Sequence, residues 1–413
     1  MQGRTRSGWP VGAIFGIPLI VDSSWFLIVG LITIRNGQVF LKEYPAWTSW
    51  QAWSTGFALA LLLLFASVLL HELGHSLVAK SQGTQVNSIT LFGFGGIASI
   101  ESEAKTPGQA FWVAIAGPLV SLCLFALLAG LNQFMPLNTP WYVISNDLAY
   151  MNLVLALFNL IPGLPLDGGQ VLKAMIWKVT GSRFKGVHWA ARVGQVLAIA
   201  AISFGLLTTL LLGQVGGIWI ALLGWFGFRS ASRYDRVTYL QEGLLKLQAK
   251  DAMTRDFRVV DAEQSVRTFA DSYVVEVNHA PAYFASSEGR YRGWINVDDL
   301  NTLERSEWEL RRVREIAHPL TKIPTVREST SLPEVIERLE QDSLPFLTVL
   351  TPADAVAGIV DRGDIVRAVG VQMNLQIPSE DIVRIKEEGV FPASFQLQAI
   401  AKAVLPEPQT KSS

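Results

Sequence analysis

Long apolar runs fill the first part of the chain and disappear from the rest. Up to about residue 229, stretches of Leu, Ile, Val, Phe, Trp, Ala and Gly are interrupted only briefly, whereas from Arg233 onward charges recur every few residues. A helix needs roughly 20 apolar residues to cross a hydrocarbon layer about 30 Å thick. Segments 55 to 79, 110 to 131, 141 to 161 and 188 to 212 reach that length, and 215 to 229 is shorter but rich in Trp and Leu. The first apolar stretch, 11 to 34, is broken by Pro18 and Asp22. Either one helix continues toward Phe40, or 11 to 21 is a separate embedded element ahead of an N-cap at Asp22, Ser23 or Ser24. Counted as one crossing, it makes six spans in a transmembrane bundle over 1–230.

Past a linker at 231–249 the pattern changes to short strands alternating with helices, and it does so twice. The first unit, 250–304, contains Phe257-Arg258-Val259-Val260, a helix from about Ser265, and Gly293-Trp294-Ile295-Asn296-Val297-Asp298-Asp299. The second, 314–370, contains Thr321 to Val326, a helix from about Leu332, a strand at Phe346 to Leu350, and Gly358-Ile359-Val360-Asp361-Arg362-Gly363-Asp364. Residues 371–413 add an amphipathic stretch around 380 to 390 and a polar tail. The expected architecture is a helical membrane bundle followed by a cytoplasmic α/β pair.

Charge adds orientation and removes one class of function. With 34 basic and 35 acidic residues there is no concentrated basic face, which excludes a nucleic-acid partner. In the loops, Arg4, Arg6, Lys80, Lys105, Lys173, Lys178, Arg183, Lys185, Arg229, Arg233 and Arg236 fall on one side, against Arg35 and Lys42 on the other. By the positive-inside rule both termini are cytoplasmic, in a multi-pass protein whose default membrane is the bacterial cell membrane. The basic N-terminus looks like a signal peptide but has no small-residue cleavage site, so it is read as retained. The single cysteine, Cys123, rules out an internal disulfide and a cysteine-based zinc site, so a bound metal must use histidine and carboxylate.

That requirement is met in the second span. The run Leu61 to Leu70 leads into His71, Glu72, Leu73, Gly74 and His75. Residues four apart share a helix face, so both imidazoles can reach one zinc ion, with Glu72 beside it as a general base toward water. The alternative is a chance pattern in an ordinary helix, but ionisable groups at bilayer depth are costly and mark function. A catalytic zinc takes three protein ligands. The third donor is read as Asp167, in Asn159-Leu160-Ile161-Pro162-Gly163-Leu164-Pro165-Leu166-Asp167-Gly168-Gly169, where prolines and glycines break the fourth span. Irregular backbone at membrane depth is tolerated where it lines a cavity. Alone, Asp167 reads equally well as the cap of the next helix.

These segments, with Ala116-Gly117-Pro118 in the intervening span, resemble the site-2 proteases, intramembrane zinc metalloproteases, over roughly residues 10 to 230. The resemblance implies one zinc per chain held by His71, His75 and Asp167, Glu72 as general base, and Asn159 binding or polarising the substrate carbonyl. Asn159 can also simply bond a neighbouring backbone. Ser88 to Ile100 is glycine-rich with β-branched and aromatic residues; it looks like the family's membrane-embedded β-element, with Gly93, Phe94, Gly95 and Gly96 receiving an unwound transmembrane substrate by strand addition. A re-entrant loop is the alternative, and Gly12 to Val21 is a candidate pairing partner. Many members have histidine where this chain has Asp22, leaving that residue either a role in substrate entry or a helix cap.

The repeated units resemble a tandem pair of CBS domains. That resemblance implies adenine nucleotide as a second ligand, with Asp364 and Asp299 at the ribose, and a homodimer through the pair; N-capping is the other use of both aspartates. The expected function is regulated intramembrane proteolysis of a transmembrane protein substrate in the lipid bilayer. The alternatives are a CBS-gated ion transporter or channel, and an inactive membrane chaperone on the same scaffold.

Overall fold

In the computed structural model, the structure describes residues 8–93, 95–100, 104–274, 282–319, 323–392 and 397–404. The chain divides into two compact units, Met1–Thr238 and Tyr239–Ser413.

The first unit opens with a hairpin of β1 (Trp9–Ile14) and β2 (Ile17–Val21), and then α1 (Ser23–Glu43). The interrupted apolar stretch is therefore two elements. Asp22 stands at their junction as the N-cap of α1: its Oδ1 accepts from the Ser24 amide at 2.9 Å and from the Ser24 hydroxyl at 2.6 Å. Helix α2 (Ser49–Leu61) runs through a π-helical turn at Leu62–Ser67 into α3 (Val68–Ser81), which bears the H-E-L-G-H residues. Strands β3 (Val86–Phe92) and β4 (Gly95–Ile100) follow, then α4 (Pro107–Asn132), α5 (Pro140–Asn159), α6 (Asp167–Thr180), α7 (Arg183–Leu212) and α8 (Gly216–Lys246).

The four strands form one sheet in the order β1-β2-β3-β4. β2 pairs parallel with β3, Leu19 opposite Ile89 and Val21 opposite Leu91, while β3 and β4 are antiparallel, Leu91 opposite Gly96. The two-residue alternation of a strand puts Ile89 and Leu91 on one face. That face packs with Leu19 and Val21 on Trp25, Val29, Leu64, Val68, Leu69 and Leu73, seating the sheet against α1 and the helix of the two histidines.

Among the described residues, five helical segments are long and apolar enough to cross a membrane: Ser23–Glu43, Ser49–Ser81, Pro107–Asn132, Pro140–Asn159 and Arg183–Leu212. The sixth expected span, 215 to 229, is the first part of α8, which continues without a break through the residues expected as a linker. From Gly216 to Phe228 it covers about 20 Å at 1.5 Å per residue, short of the hydrocarbon thickness, before Arg229, Arg233 and Asp235 begin.

In the second unit, α9 (Ala249–Ala252), β5 (Arg258–Asp261), α10 (Val266–Phe269), β6 (Tyr283–Ser287), β7 (Arg290–Ile295) and α11 (Val313–Ile316) precede β8 (Thr325–Arg327), α12 (Leu332–Gln341), β9 (Phe346–Leu350), β10 (Val356–Asp361) and α13 (Arg362–Gln372). The strands make two matching sheets, β5-β6-β7 and β8-β9-β10, each with one parallel and one antiparallel pairing. The repeat read from the sequence is thus a repeat of topology. The glycine that begins each G-h-h segment has a matching use. Thr254, ahead of the first sheet, exchanges both backbone hydrogen bonds with Ile359 of the second, at 2.8 and 2.9 Å. His318, ahead of the second sheet, does the same with Trp294 of the first, at 2.9 and 2.7 Å. A side chain at Gly358 would meet Thr254 O at 2.6 Å, and one at Gly293 would collide with His318.

The two helices after α13 are built into this unit. Helices α14 (Ser379–Glu388) and α15 (Leu397–Val404) contribute Ile385, Leu397, Ile400 and Ala401 to the same core as Leu332, Ile336 and Leu339.

Candidate active site

Three helices and one broken segment converge on α3. His71 and His75 are 3% and 9% exposed, facing α4. Close approach of the two helices depends on glycine on both sides. A side chain at Gly74 would meet Val120 Cγ2 at 2.9 Å and Ala116 O at 3.0 Å. A side chain at Gly117 would lie 2.7 Å from His75 Cε1 and 2.8 Å from His71 Nε2. Gly117 therefore leaves open the space onto which both imidazoles point.

Each imidazole is held from behind by α4. His75 Nδ1 donates to Val113 O at 2.6 Å, which leaves Nε2 with its lone pair, and His71 Nδ1 lies 2.9 Å from Ser121 Oγ. Asp167 completes the cluster. It is the first residue of α6, delivered by a turn that folds so tightly on Gly168 and Gly169 that a side chain at Gly169 would meet Gly163 O at 2.6 Å. Asp167 Oδ2 stands 3.1 Å from His71 Nε2 and 3.3 Å from His75 Nε2, and the two Nε2 atoms are 3.4 Å apart. Ligands about 2.0–2.1 Å from a tetrahedral zinc are separated by roughly 3.3 Å, so the donor set fits zinc in both type and spacing. Among the described residues, His71, His75 and Asp167 are the group of this kind able to hold a metal.

Glu72 lies on the neighbouring face, against the sheet. A side chain at Gly96 would lie 3.2 Å from Glu72 Oε1, so β4, the last strand of its sheet, runs directly past the carboxylate. Asn159, the final residue of α5, places Nδ2 3.3 Å from His71 Nε2. The structure thus brings together His71, Glu72, His75, Asn159, Asp167 and Gly96. Gly93 is committed elsewhere: its amide donates to Ser24 Oγ at 3.1 Å, and a side chain there would meet Ile28 at 2.6 Å. Gly95 has φ +147°, and an added side chain there would meet nothing within 4 Å among the described residues; Phe94 lies outside them.

Sequence reasoning passed over Ser121 and Val113, and also Asn152, whose Nδ2 donates to Ser67 Oγ at 2.9 Å and to Leu148 O at 2.8 Å. That bond pins α5 to the π-helical turn one helical turn before His71. The available signal was a polar residue inside an apolar span.

The sequence profile of Peptidase family M50 matches residues 59–139 and 137–201. The Synechocystis protein named "Putative zinc metalloprotease sll0528" is 41% identical over 360 residues, covering 87% of this chain and 94% of that one. The chain belongs to peptidase family M50, the site-2 proteases. Its similarity extends to "Zinc metalloprotease MJ0392" of Methanocaldococcus jannaschii, 30% identical over 362 residues, 87% of this chain and 95% of that one. Among solved structures, "Site-2 Protease from Methanocaldococcus jannaschii" is 32% identical and covers 55% of this chain and 95% of that chain, with a TM-score of 0.41. At family level this makes the chain a zinc metalloprotease, set in a membrane and acting on protein substrates.

The profile of the CBS domain matches residues 313–371. Asp364, within that match, and Asp299, ahead of it, are both partnered by the chain itself. Asp364, fully buried, accepts from Lys386 of α14 at 2.8 Å and from Arg367 at 3.0 Å, and Lys386 also reaches Asp361 at 3.0 Å. Burial pushes the Asp364 carboxyl up, reinforced by the charge of Asp361. Burial opposes the charge of Lys386, yet its hydrogen bond to Asp364 and the charge of Asp361 hold its pKa above the ordinary lysine value. Asp299 meets His318 Nε2 at 2.6 Å in a more open setting. Replacing Lys386 by methionine leaves two buried carboxylates facing each other, at a cost on the order of 3 kcal/mol. Amide exchange in α13 and α14 should then quicken on the order of 100-fold, with Arg384→Met, from an exposed pair, as the unaffected control.

Proposed function

We propose that this site-2 protease is a zinc-dependent intramembrane endopeptidase that hydrolyses peptide bonds within transmembrane segments. The observation that carries the reading is the convergence of Asp167 on His71 and His75 of an apolar helix at zinc-ligand spacing, with the Glu72 carboxylate beside them. His71 and His75 would hold the ion through Nε2, and Asp167 through Oδ2. Bound zinc would supply Lewis-acid polarisation of the scissile carbonyl and acidify water. Glu72 takes the proton from the attacking water and returns it to the leaving amine. Asn159, freed of His71 Nε2 once that atom is a ligand, donates its amide hydrogen to the carbonyl oxygen.

A peptide bond in a membrane helix is protected by its own hydrogen bonds and must be unwound. The outer edge of β4 is suited to receive the freed strand by β-addition, and Gly96 brings that edge beside Glu72. In this reading the sheet lies at membrane depth. For both termini to lie on the basic, cytoplasmic side, the apolar start of α8, though shorter than the hydrocarbon layer, must serve as a sixth crossing.

The test is cleavage of a single-span substrate by purified protein in liposomes. Zinc removal with a chelator should abolish cleavage, and stoichiometric zinc should restore it; full cleavage by zinc-free protein would exclude the mechanism. A transporter would instead show ion flux unaffected by zinc.

The CBS region is the cytoplasmic sensor in this reading, and adenine nucleotide is its expected signal. A ribose reaching Asp364 must displace Lys386, and one reaching Asp299 must displace His318. Titrating the full-length protein with AMP decides between the two aspartates: Asp299→Asn should abolish binding and Asp364→Asn should leave it within about twofold. No binding to the unaltered protein would reduce the pair to a docking module.

A further inference from the structure

Helix α4 presents three residues at successive turns to the two histidines: Val113, Gly117 and Ser121. The first fixes His75 through its carbonyl and the second leaves room at both Nε2 atoms. We propose that the third, Ser121, is a positioning residue that holds the His71 ring with Nε2 turned to the metal site, by accepting from Nδ1–H when Nε2 is the ligand. This rests on the zinc reading of the site.

An imidazole can ligate through Nε2 only when its proton sits on Nδ1, and in a buried setting the partner of Nδ1 decides between the two forms. For His75 that partner is a carbonyl, which only accepts, so its tautomer is settled by the backbone. His71 has a hydroxyl as partner, 2.9 Å from Nδ1. Ser121 has no exposed surface, and its serine oxygen is the polar group facing this nitrogen among the described residues. When Nδ1–H donates to Ser121 Oγ, Nε2 keeps its lone pair, in line with the lone pair left on His75 and with Asp167 Oδ2. Without the hydroxyl, the Nδ1–H that a ligating Nε2 requires is buried with no acceptor, which favours the other form, with the proton on Nε2 facing Asp167 Oδ2 at 3.1 Å. That form cannot bind zinc until it is reversed. An ordinary serine in a membrane helix bonds the carbonyl one turn back and does nothing else. Ser121 Oγ lies 2.9 Å from His71 Nδ1, where a hydroxyl oxygen can accept.

The experiment compares Ser121→Ala with Ser76→Ala, a substitution of another fully buried serine, on α3, whose hydroxyl has no hydrogen-bond partner. Detergent-purified full-length protein is stripped, reloaded with zinc and challenged with a chromogenic chelator. Ser121→Ala should bind zinc about 10- to 100-fold more weakly than the unaltered protein, the range seen when such supporting groups are removed. Ser76→Ala should stay within about twofold, and the unfolding midpoint of the zinc-free forms should differ little. Zinc affinity of Ser121→Ala within twofold of the unaltered protein, or an equal loss in Ser76→Ala, overturns the assignment. Nitrogen-15 NMR of ring-labelled histidine in the zinc-free protein reads the tautomer directly. The share of His71 protonated on Nδ1 should be lower in Ser121→Ala than in the unaltered protein. An unchanged spectrum also overturns it. Should the unaltered protein take up no zinc at all, the zinc reading fails, while the NMR comparison still decides the role of Ser121.

Discussion

Glu72→Gln should lower cleavage of a transmembrane substrate by about 10²- to 10⁴-fold, the usual contribution of a general base, while the protein keeps one zinc per chain. The separation of the two effects is the point of the substitution. Glu72 is not among the three converging donors, and the amide has the size of the carboxylate, so neither the ion nor the packing against Gly96 should change. Only the capacity to accept a proton is lost. Measuring zinc by mass spectrometry alongside single-turnover cleavage checks both halves. Cleavage within tenfold of the unaltered protein would remove Glu72 from the mechanism.

Gly117→Ala should have the opposite signature, with zinc content falling below about a tenth of an ion per chain and activity falling with it. Its methyl group would occupy the space shared by His71 Nε2 and His75, and neither ring can retreat while Ser121 and Val113 hold the other side. Alanine is the better helix former by about 1 kcal/mol, so the helix itself should not suffer. Gly108→Ala, where an added methyl meets nothing within 4 Å among the described residues, is the matched control on the same helix. Normal zinc content in Gly117→Ala would show that the ion does not sit where these atoms point.

The parts of the site legible in the sequence are those set by local geometry. His71, Glu72 and His75 follow from the period of a helix, and Asp167 from a proline- and glycine-broken span that had to line something. Ser121 was hidden because its meaning depends on which helix faces it, fifty positions away along the chain. The strands at Gly12 to Val21 and Ser88 to Ile100 were visible in their composition, but composition could not rank their glycines: Gly93 supports α1 and Gly96 faces Glu72. Helix α8 runs on past the apolar stretch for a related reason. Apolar residues end at Phe228, but helical hydrogen bonding continues through charged residues that tolerate a helix equally well. Asp364 was recognised as special from its place before a helix. That its partner is Lys386 of the same chain could not be read, since nothing in the spacing indicates that α14 returns to that spot.

The crossed hydrogen bonds at Thr254 and Ile359, and at His318 and Trp294, have a consequence for how the second unit responds as a body. Each repeat completes its sheet with a segment belonging to the fold of the other, so neither half is self-sufficient, and opening one strips the other of its edge. The two should melt in a single step. A molecule that tightens or loosens one half is therefore felt at the other without any dedicated relay between them.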